Sequence, residues 1–385
     1  MMKVNEIPTP AYVVYDDRLR HNLDIITDVE RRAGVEIIMA FKANALWRTF
    51  DIARSYDRAC TASSLNELKL GVEELGRPVH SYCPAYTDAT IKEFLNGSSH
   101  ITFNSVSQWE RFRDTVNTWN ETHPDNRVSP GLRVNPKCSV IETDIYNPAM
   151  PGSRFGASAE ELAELPEGIE GLHFHALCES TSYDLERVLE AFEKQFGHLL
   201  PKVKWVNMGG GHLMTRKGYD VEHLVNLLKE FRSRYPWLKV ILEPGSAFSW
   251  RTGDLLTTVV DTVSNDGVST AIIDASFACH MPDTLEMPYK PLITESLGDE
   301  PVEGKSTWRL GGNSCLSGDF KGDWSFEEPL KAGDRLTLED MNHYTTVKTT
   351  MFNGIQHPDI WRVDSNGDST LLRRFTYDDY KNRMS

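Results

Sequence analysis

No stretch of this 385-residue chain approaches the roughly 20 consecutive apolar residues a membrane span needs, so a membrane-embedded protein is not expected. Basic residues are scarce relative to acidic ones: 41 Lys and Arg against 56 Asp and Glu leave a formal charge of −15. That balance opposes nucleic acid or an anionic bilayer as a partner and suits a cationic substrate, although acidity also serves plain solubility. Cysteine is sparse. The six thiols (Cys60, Cys83, Cys138, Cys178, Cys279 and Cys315) include no C-x-x-C pair, which argues against a zinc ribbon or a disulfide framework. The start, "MMKVNEIPTPAYVVYDD", lacks the charged, then apolar, then small-residue pattern of a secretory signal, and a cytoplasmic location is expected.

What is present is alternation. Eight short apolar runs lie between residues 35 and 243: "VEIIMAF" (35–41), "RACTA" (58–62), "VHSYCPA" (79–85), "HITFN" (100–104), "SPGLRV" (129–134), "EGLHFHA" (170–176), "KWVNM" (204–208) and "KVILE" (239–243). Amphipathic segments at 64–75, 105–116, 182–196 and 221–235 separate several of them, with helix starts at Ser64, fitting a capping box with Glu67, and at Ser182. Eight strand-helix alternations imply a closed parallel (β/α)8 TIM barrel, here over residues 22–248. Beyond 249 the texture changes to period-two patterns ("LLTTVVDTV", "STAIIDASF", "STWRLGG", "DRLTLEDM", "YTTVKTTMF"), which imply an antiparallel β domain. "PAYVVYD" also alternates, so residues 1–21 are expected to join 249–385 in that second domain.

A barrel of this kind places its chemistry at the C-terminal ends of its strands. Four distinctive features fall there: Lys42 after the first run, His175 after the sixth, the triple glycine Gly209, Gly210 and Gly211 after the seventh, and Glu243 with Gly245 and Ser246 after the eighth. Glycines let backbone N–H groups approach a phosphate, and barrels commonly bind phosphate beside strands 7 and 8. A buried amine beside a phosphate cradle points to pyridoxal 5′-phosphate (PLP) held by Lys42 as a Schiff base, with Glu243 on the ring nitrogen. The alternative for Glu243 is a structural carboxylate beside a cation such as Arg133. His173 and His175 share a strand face and could bind a metal. No further ligand cluster accompanies them, so no metal is expected: His175 is read as a flat ring packed on a flat cofactor, and His173 as a hydrogen-bonded barrel residue.

The motifs "AFKANA", "ASSLNEL", "GLRVNP", "SRFG", "NMGGGH", "EPGSAF", "GGNSCLSGDF" and "MNHYTTVKTTMFNG" resemble the fold-type III PLP-dependent decarboxylases, whose barrel is like that of alanine racemase and whose plan is that of ornithine and diaminopimelate decarboxylases. Within that family, "FKANALW", "GLHFHALCES", "CHMPDTLEMPYKP" and "GGNSCLSGD" are most similar to the carboxynorspermidine and carboxyspermidine decarboxylases of polyamine biosynthesis. The resemblance implies that Lys42 carries the cofactor and His175 stacks on its ring. It also implies that Gly209 to Gly211 and Tyr344 hold the phosphate, Glu243 contacts the ring nitrogen and Cys315 returns a proton to Cα after CO2 leaves. It implies a homodimer too, with Cys315 and Asp319 supplied across the interface.

Two departures bear on substrate. Leu316 follows Cys315 where ornithine decarboxylases carry an aspartate, and Ser246 stands where related enzymes carry an arginine. A short diamine acid therefore loses an anchor. Asp283, Glu286 and Asp319 are candidates for the ammonium groups of a longer, cationic carboxylated triamine, with Ser246 shaping its channel. The competing readings are another decarboxylase or racemase of the same fold, or a non-catalytic PLP-binding regulator.

Overall fold

The structure, a computed structural model, describes residues 2–385 and divides into two compact units, one running over Asn22–Phe248 and the other over the segment ending at His21 together with Ser249–Ser385. The first unit is a ring of parallel strands in chain order: Glu36–Ile37 with Met39–Ala40, Cys60–Ala62, Val79–Tyr82, Ser98–Phe103, Ser129–Arg133, Gly171–His173, Trp205–Asn207 and Lys239–Leu242. The first strand is broken at Ile38. Its first half pairs with Lys239–Leu242 and its second half with Cys60–Ala62, so the broken strand is the one that closes the ring. The expected runs coincide with these strands because a parallel strand buried on both faces must be apolar nearly throughout.

Helices wrap the ring where the amphipathic pattern places them. Ser182–Phe196 buries Leu185, Val188, Leu189, Phe192 and Phe196 along one stripe, the spacing of a helix face turned to a core. Its cap is Thr181, one residue before the expected start; Thr181 and Asp184 bond each other's backbone N–H. At Ser64 the cap accepts the Glu67 N–H at 3.2 Å, while the Glu67 carboxylate reaches the Ser63 N–H at 2.6 Å. That helix continues as a π-helical turn over Gly71–Leu75. The floor of the ring is plugged by Trp205, which bonds Ser129 Oγ at 2.9 Å. Gly131 and Gly171 make its room: a Cβ at either would lie 2.2 Å or 2.0 Å from the indole. A filled floor leaves the opposite end, where the C-terminal ends of the strands converge, for chemistry.

The second unit is a mainly antiparallel sheet ordered Phe320–Phe326, Ser306–Gly311, Val268–Ile273, Gly253–Asn265, Ala11–Tyr15, Asp359–Val363, Ser369–Arg373, with Arg335–Leu338 pairing Gly253–Asn265. Ala11–Tyr15 runs antiparallel to Gly253–Asn265 and parallel to Asp359–Val363, so the N-terminal segment does enter this sheet. One expected strand is absent. Residues 344–352 form turns: Tyr344 has φ +50°, and the Thr345 hydroxyl bonds His343 O at 3.0 Å. The β-branched run resembled a strand, but the Thr345 and Thr346 hydroxyls bond nearby backbone carbonyls and Thr349 bonds His357 instead of forming a ladder. No helix among the described residues is long and apolar enough to cross a membrane.

Candidate active site

Lys42 sits in the turn that follows the split strand. Phe41, fully buried and stacked on Phe50 at 5.0 Å, anchors that turn from below, and Ala43 N–H closes it on Ala40 O at 3.2 Å. The amine is 3.4 Å from His175 Nε2. Burial lowers the Lys42 pKa, opposed by the negative charge of Glu243. His175 is likewise driven well below its usual value by burial and by Lys42 and Arg133, so the ring is neutral. Its Nδ1 accepts the Gly210 N–H at 3.0 Å, which leaves the ring proton on Nε2.

Glu243 is held from two sides. One oxygen lies 3.0 Å from His173 Nε2, and the other accepts the Asn207 amide at 3.0 Å. Burial alone would raise its pKa, but the hydrogen bonds from His173 and Asn207 and the nearby Lys42 amine outweigh that and hold it below the usual carboxylate value, so Glu243 is ionised. Arg133, the cation considered as its partner, instead donates to His175 O at 3.2 Å and lies over the rings of Tyr82 and Phe155.

The glycines are required by close approach. Gly209 and Gly211 have φ of +71° and +90°, and a Cβ on Gly209, Gly210 or Gly211 would lie 2.4–2.5 Å from backbone atoms of Phe174, Glu243 or Leu177. A Cβ at Gly245 would meet that of Ala43 at 2.5 Å. Ser246 is buried, its hydroxyl 3.3 Å from Glu179 Oε1. Lys42, His175, the triple glycine, Glu243, Gly245 and Ser246 thus all belong to the C-terminal ends of the barrel strands. The donor set fits PLP: an amine of lowered basicity for the aldehyde, an ionised carboxylate for a pyridinium, and a cradle only glycine can form for the phosphate.

Asn207 was missed in the sequence. Its amide oxygen accepts the Gly209 N–H at 2.8 Å while its nitrogen donates to Glu243, so one side chain ties the carboxylate to the glycine turn. The only signal was a polar residue one position before the end of the apolar run "KWVNM".

The remaining expected residues lie in the second unit. Cys315 is exposed, its backbone N–H bonded to Asn353 Oδ1 at 2.9 Å, and Leu316 beside it is exposed as well. Asp319, expected as an ammonium ligand, is engaged by backbone groups. It is buried, and its two oxygens accept the backbone N–H groups of Ala278 at 2.9 Å and Ser314 at 3.1 Å, organising the loop that presents Cys315. Asp283 and Glu286 also have a cation already: Lys348 is 2.7 Å from Asp283 and bonded to Glu286. Tyr344 takes a left-handed backbone conformation beside His343.

Residues 12–342 match the model of the pyridoxal-dependent decarboxylases, C-terminal sheet domain. The chain belongs to this family. Like other pyridoxal-dependent decarboxylases it is a PLP enzyme, and several relatives match it over nearly its full length. A carboxyaminopropylagmatine decarboxylase of Synechocystis sp. is 44% identical over 99% of this chain and 97% of its own length. A carboxynorspermidine/carboxyspermidine decarboxylase of Campylobacter jejuni is 38% identical over 99% of this chain and 100% of its own. A crystal structure of a C. jejuni carboxynorspermidine decarboxylase complexed with norspermidine superposes with a TM-score of 0.88 at 37% identity, covering 98% of this chain and 100% of that one.

Proposed function

We propose that this decarboxylase removes CO2 from carboxynorspermidine or carboxyspermidine in the cytoplasm, yielding a polyamine. The observation that carries the reading is full-length likeness, at 37–44% identity, to enzymes whose named substrates or bound ligand are polyamines or their carboxylated forms. Leu316 in place of an acidic residue supports a substrate longer than ornithine, and the −15 charge supports a polycation through steering.

PLP, when bound, supplies the electron sink that accepts the pair left at Cα as CO2 departs. Lys42 would provide the amine that anchors it. The ionised Glu243 offers a fixed negative charge to the ring nitrogen, neutral His175 a flat face, and Gly209 to Gly211 with Gly245 and Tyr344 a phosphate cradle. Cys315, contributed by the second copy of a homodimer, returns a proton to Cα, and Ser246 lines the substrate's path.

A second reading has its own support. The 44% relative acts on a carboxylated agmatine, which ends in a guanidinium rather than an ammonium. A planar guanidinium asks for a bidentate carboxylate, whereas an ammonium accepts any cluster of oxygens. Comparing kcat/KM for carboxyspermidine, carboxynorspermidine, carboxyaminopropylagmatine, ornithine and meso-diaminopimelate separates the readings. Preference for a carboxylated triamine is expected; preference for the agmatine derivative moves the substrate to the second reading, and preference for either of the last two overturns both.

A further inference from the structure

We propose that His173 is a positioning residue for the decarboxylation: a neutral imidazole that donates from Nε2 to Glu243, holding the carboxylate in place while leaving its negative charge uncompensated. This rests on the proposed role of Glu243 toward the cofactor's ring nitrogen. Three observations converge on it.

First, an ionised carboxylate only accepts hydrogen bonds, so the 3.0 Å contact requires the proton on His173 Nε2. Second, His173 Nδ1 is buried with no hydrogen-bond partner among the described residues, and the residue as a whole is 1% exposed. A second N–H there would bury an unsatisfied donor together with a charge, whereas a bare lone pair costs less, so the arrangement selects the neutral form. Third, the ring is fixed in orientation by Tyr82, stacked at 5.4 Å and 21°, whose hydroxyl is tied to Asn104 Oδ1 at 2.8 Å. Asn207 restrains the second Glu243 oxygen, itself through a neutral amide.

The consequence is electrostatic. Both groups that bond Glu243 are uncharged, and the nearby cation Arg133 is directed to His175 O. Glu243 is therefore immobilised without being paired off, and its full charge remains for a pyridinium. The charged or titratable groups around His173 are Lys42, Arg133 and Glu243, with Tyr82 on its flat face and His175 on its own strand extension.

The test compares His173→Leu, His173→Gln and Glu243→Gln. PLP affinity is measured by titrating apoprotein, holoenzyme kcat and KM are followed across pH, and melting temperature reports folding. His173→Leu is expected to weaken PLP binding and kcat by about tenfold or more, the scale of one lost bond to a charge, with KM unchanged and the acidic limb of the kcat profile moved to higher pH. His173→Gln, which keeps a donor, is expected to recover most of the affinity and the profile. Wild-type affinity and pH profile in His173→Leu, with Glu243→Gln impaired, would overturn the assignment. So would His173→Gln failing as badly as His173→Leu at the same melting temperature. Wild-type behaviour of Glu243→Gln would instead remove the Glu243 role on which the inference stands.

Discussion

The amine of Lys42 faces the imidazole of His175 at 3.4 Å, and the Gly210 N–H on the far ring nitrogen settles which way the proton points. With Nδ1 occupied as an acceptor, Nε2 carries the hydrogen and presents it to an amine whose own proton affinity is reduced by burial. The buried amine and the ring N–H thus face each other.

Replacing Lys42 by alanine removes the proposed attachment point. Absorbance of the lysine-linked cofactor is expected to vanish, and borohydride reduction of the wild type is expected to tag the peptide that contains Lys42 and no other. A variant that keeps both the band and turnover would exclude Lys42 as the anchor.

The glycine turn tolerates no side chain. Gly211→Ala needs φ near +90° and places Cβ 2.4 Å from Leu177 backbone, so PLP affinity measured on apoprotein is expected to fall at least about tenfold. Gly218→Ala, with φ +85° and nothing within 4 Å, controls for backbone strain alone and is expected to leave affinity unchanged.

Asp319 binds the loop around Cys315 through two backbone N–H groups. Asp319→Ala is expected to lower kcat for every substrate by a similar factor, since both backbone donors it satisfies are released together. A loss confined to KM, and different between carboxyspermidine and carboxynorspermidine, would show direct contact with the polyamine.

Acid should unfold the barrel through its histidines. His80 and His100 stack at 4.0 Å in the barrel; burial and Lys239 push His80 down to about 3, and burial, His80 and Lys239 push His100 down to about 2. Below the unfolded value of 6.5 the unfolded chain gains protons that the fold refuses, so stability declines as pH falls from 6.5 toward 3. The slope is about 1.4 kcal/mol per pH unit for each histidine. Melting scans of His100→Gln are expected to show a flatter decline than wild type over that window.

The barrel was legible because its strands are buried on both faces and read as apolar runs, and because helices such as Ser182–Phe196 carry one apolar stripe. Lys42, His175 and Glu243 followed from their place at strand ends. What stayed hidden depends on partners distant in sequence. Asp283 and Lys348 are 65 positions apart, and nothing local in "MPDTLE" shows that a lysine already sits on the carboxylate. Asn207 looked like the polar end of a strand until its two bonds were seen. Residues 344–352 carry strand composition but bond nearby turns and distant partners such as His357 and Cys279 instead of a ladder, a choice made by surroundings and not by propensity.

The most direct measurement is mass spectrometry of the product formed from carboxyspermidine by the purified holoenzyme in deuterated water. Conversion to spermidine, lighter by one CO2 and carrying a single carbon-bound deuterium at the former Cα, is expected. Unchanged substrate, or substrate that gains deuterium at Cα without losing CO2, would contradict decarboxylation of this polyamine as the reaction.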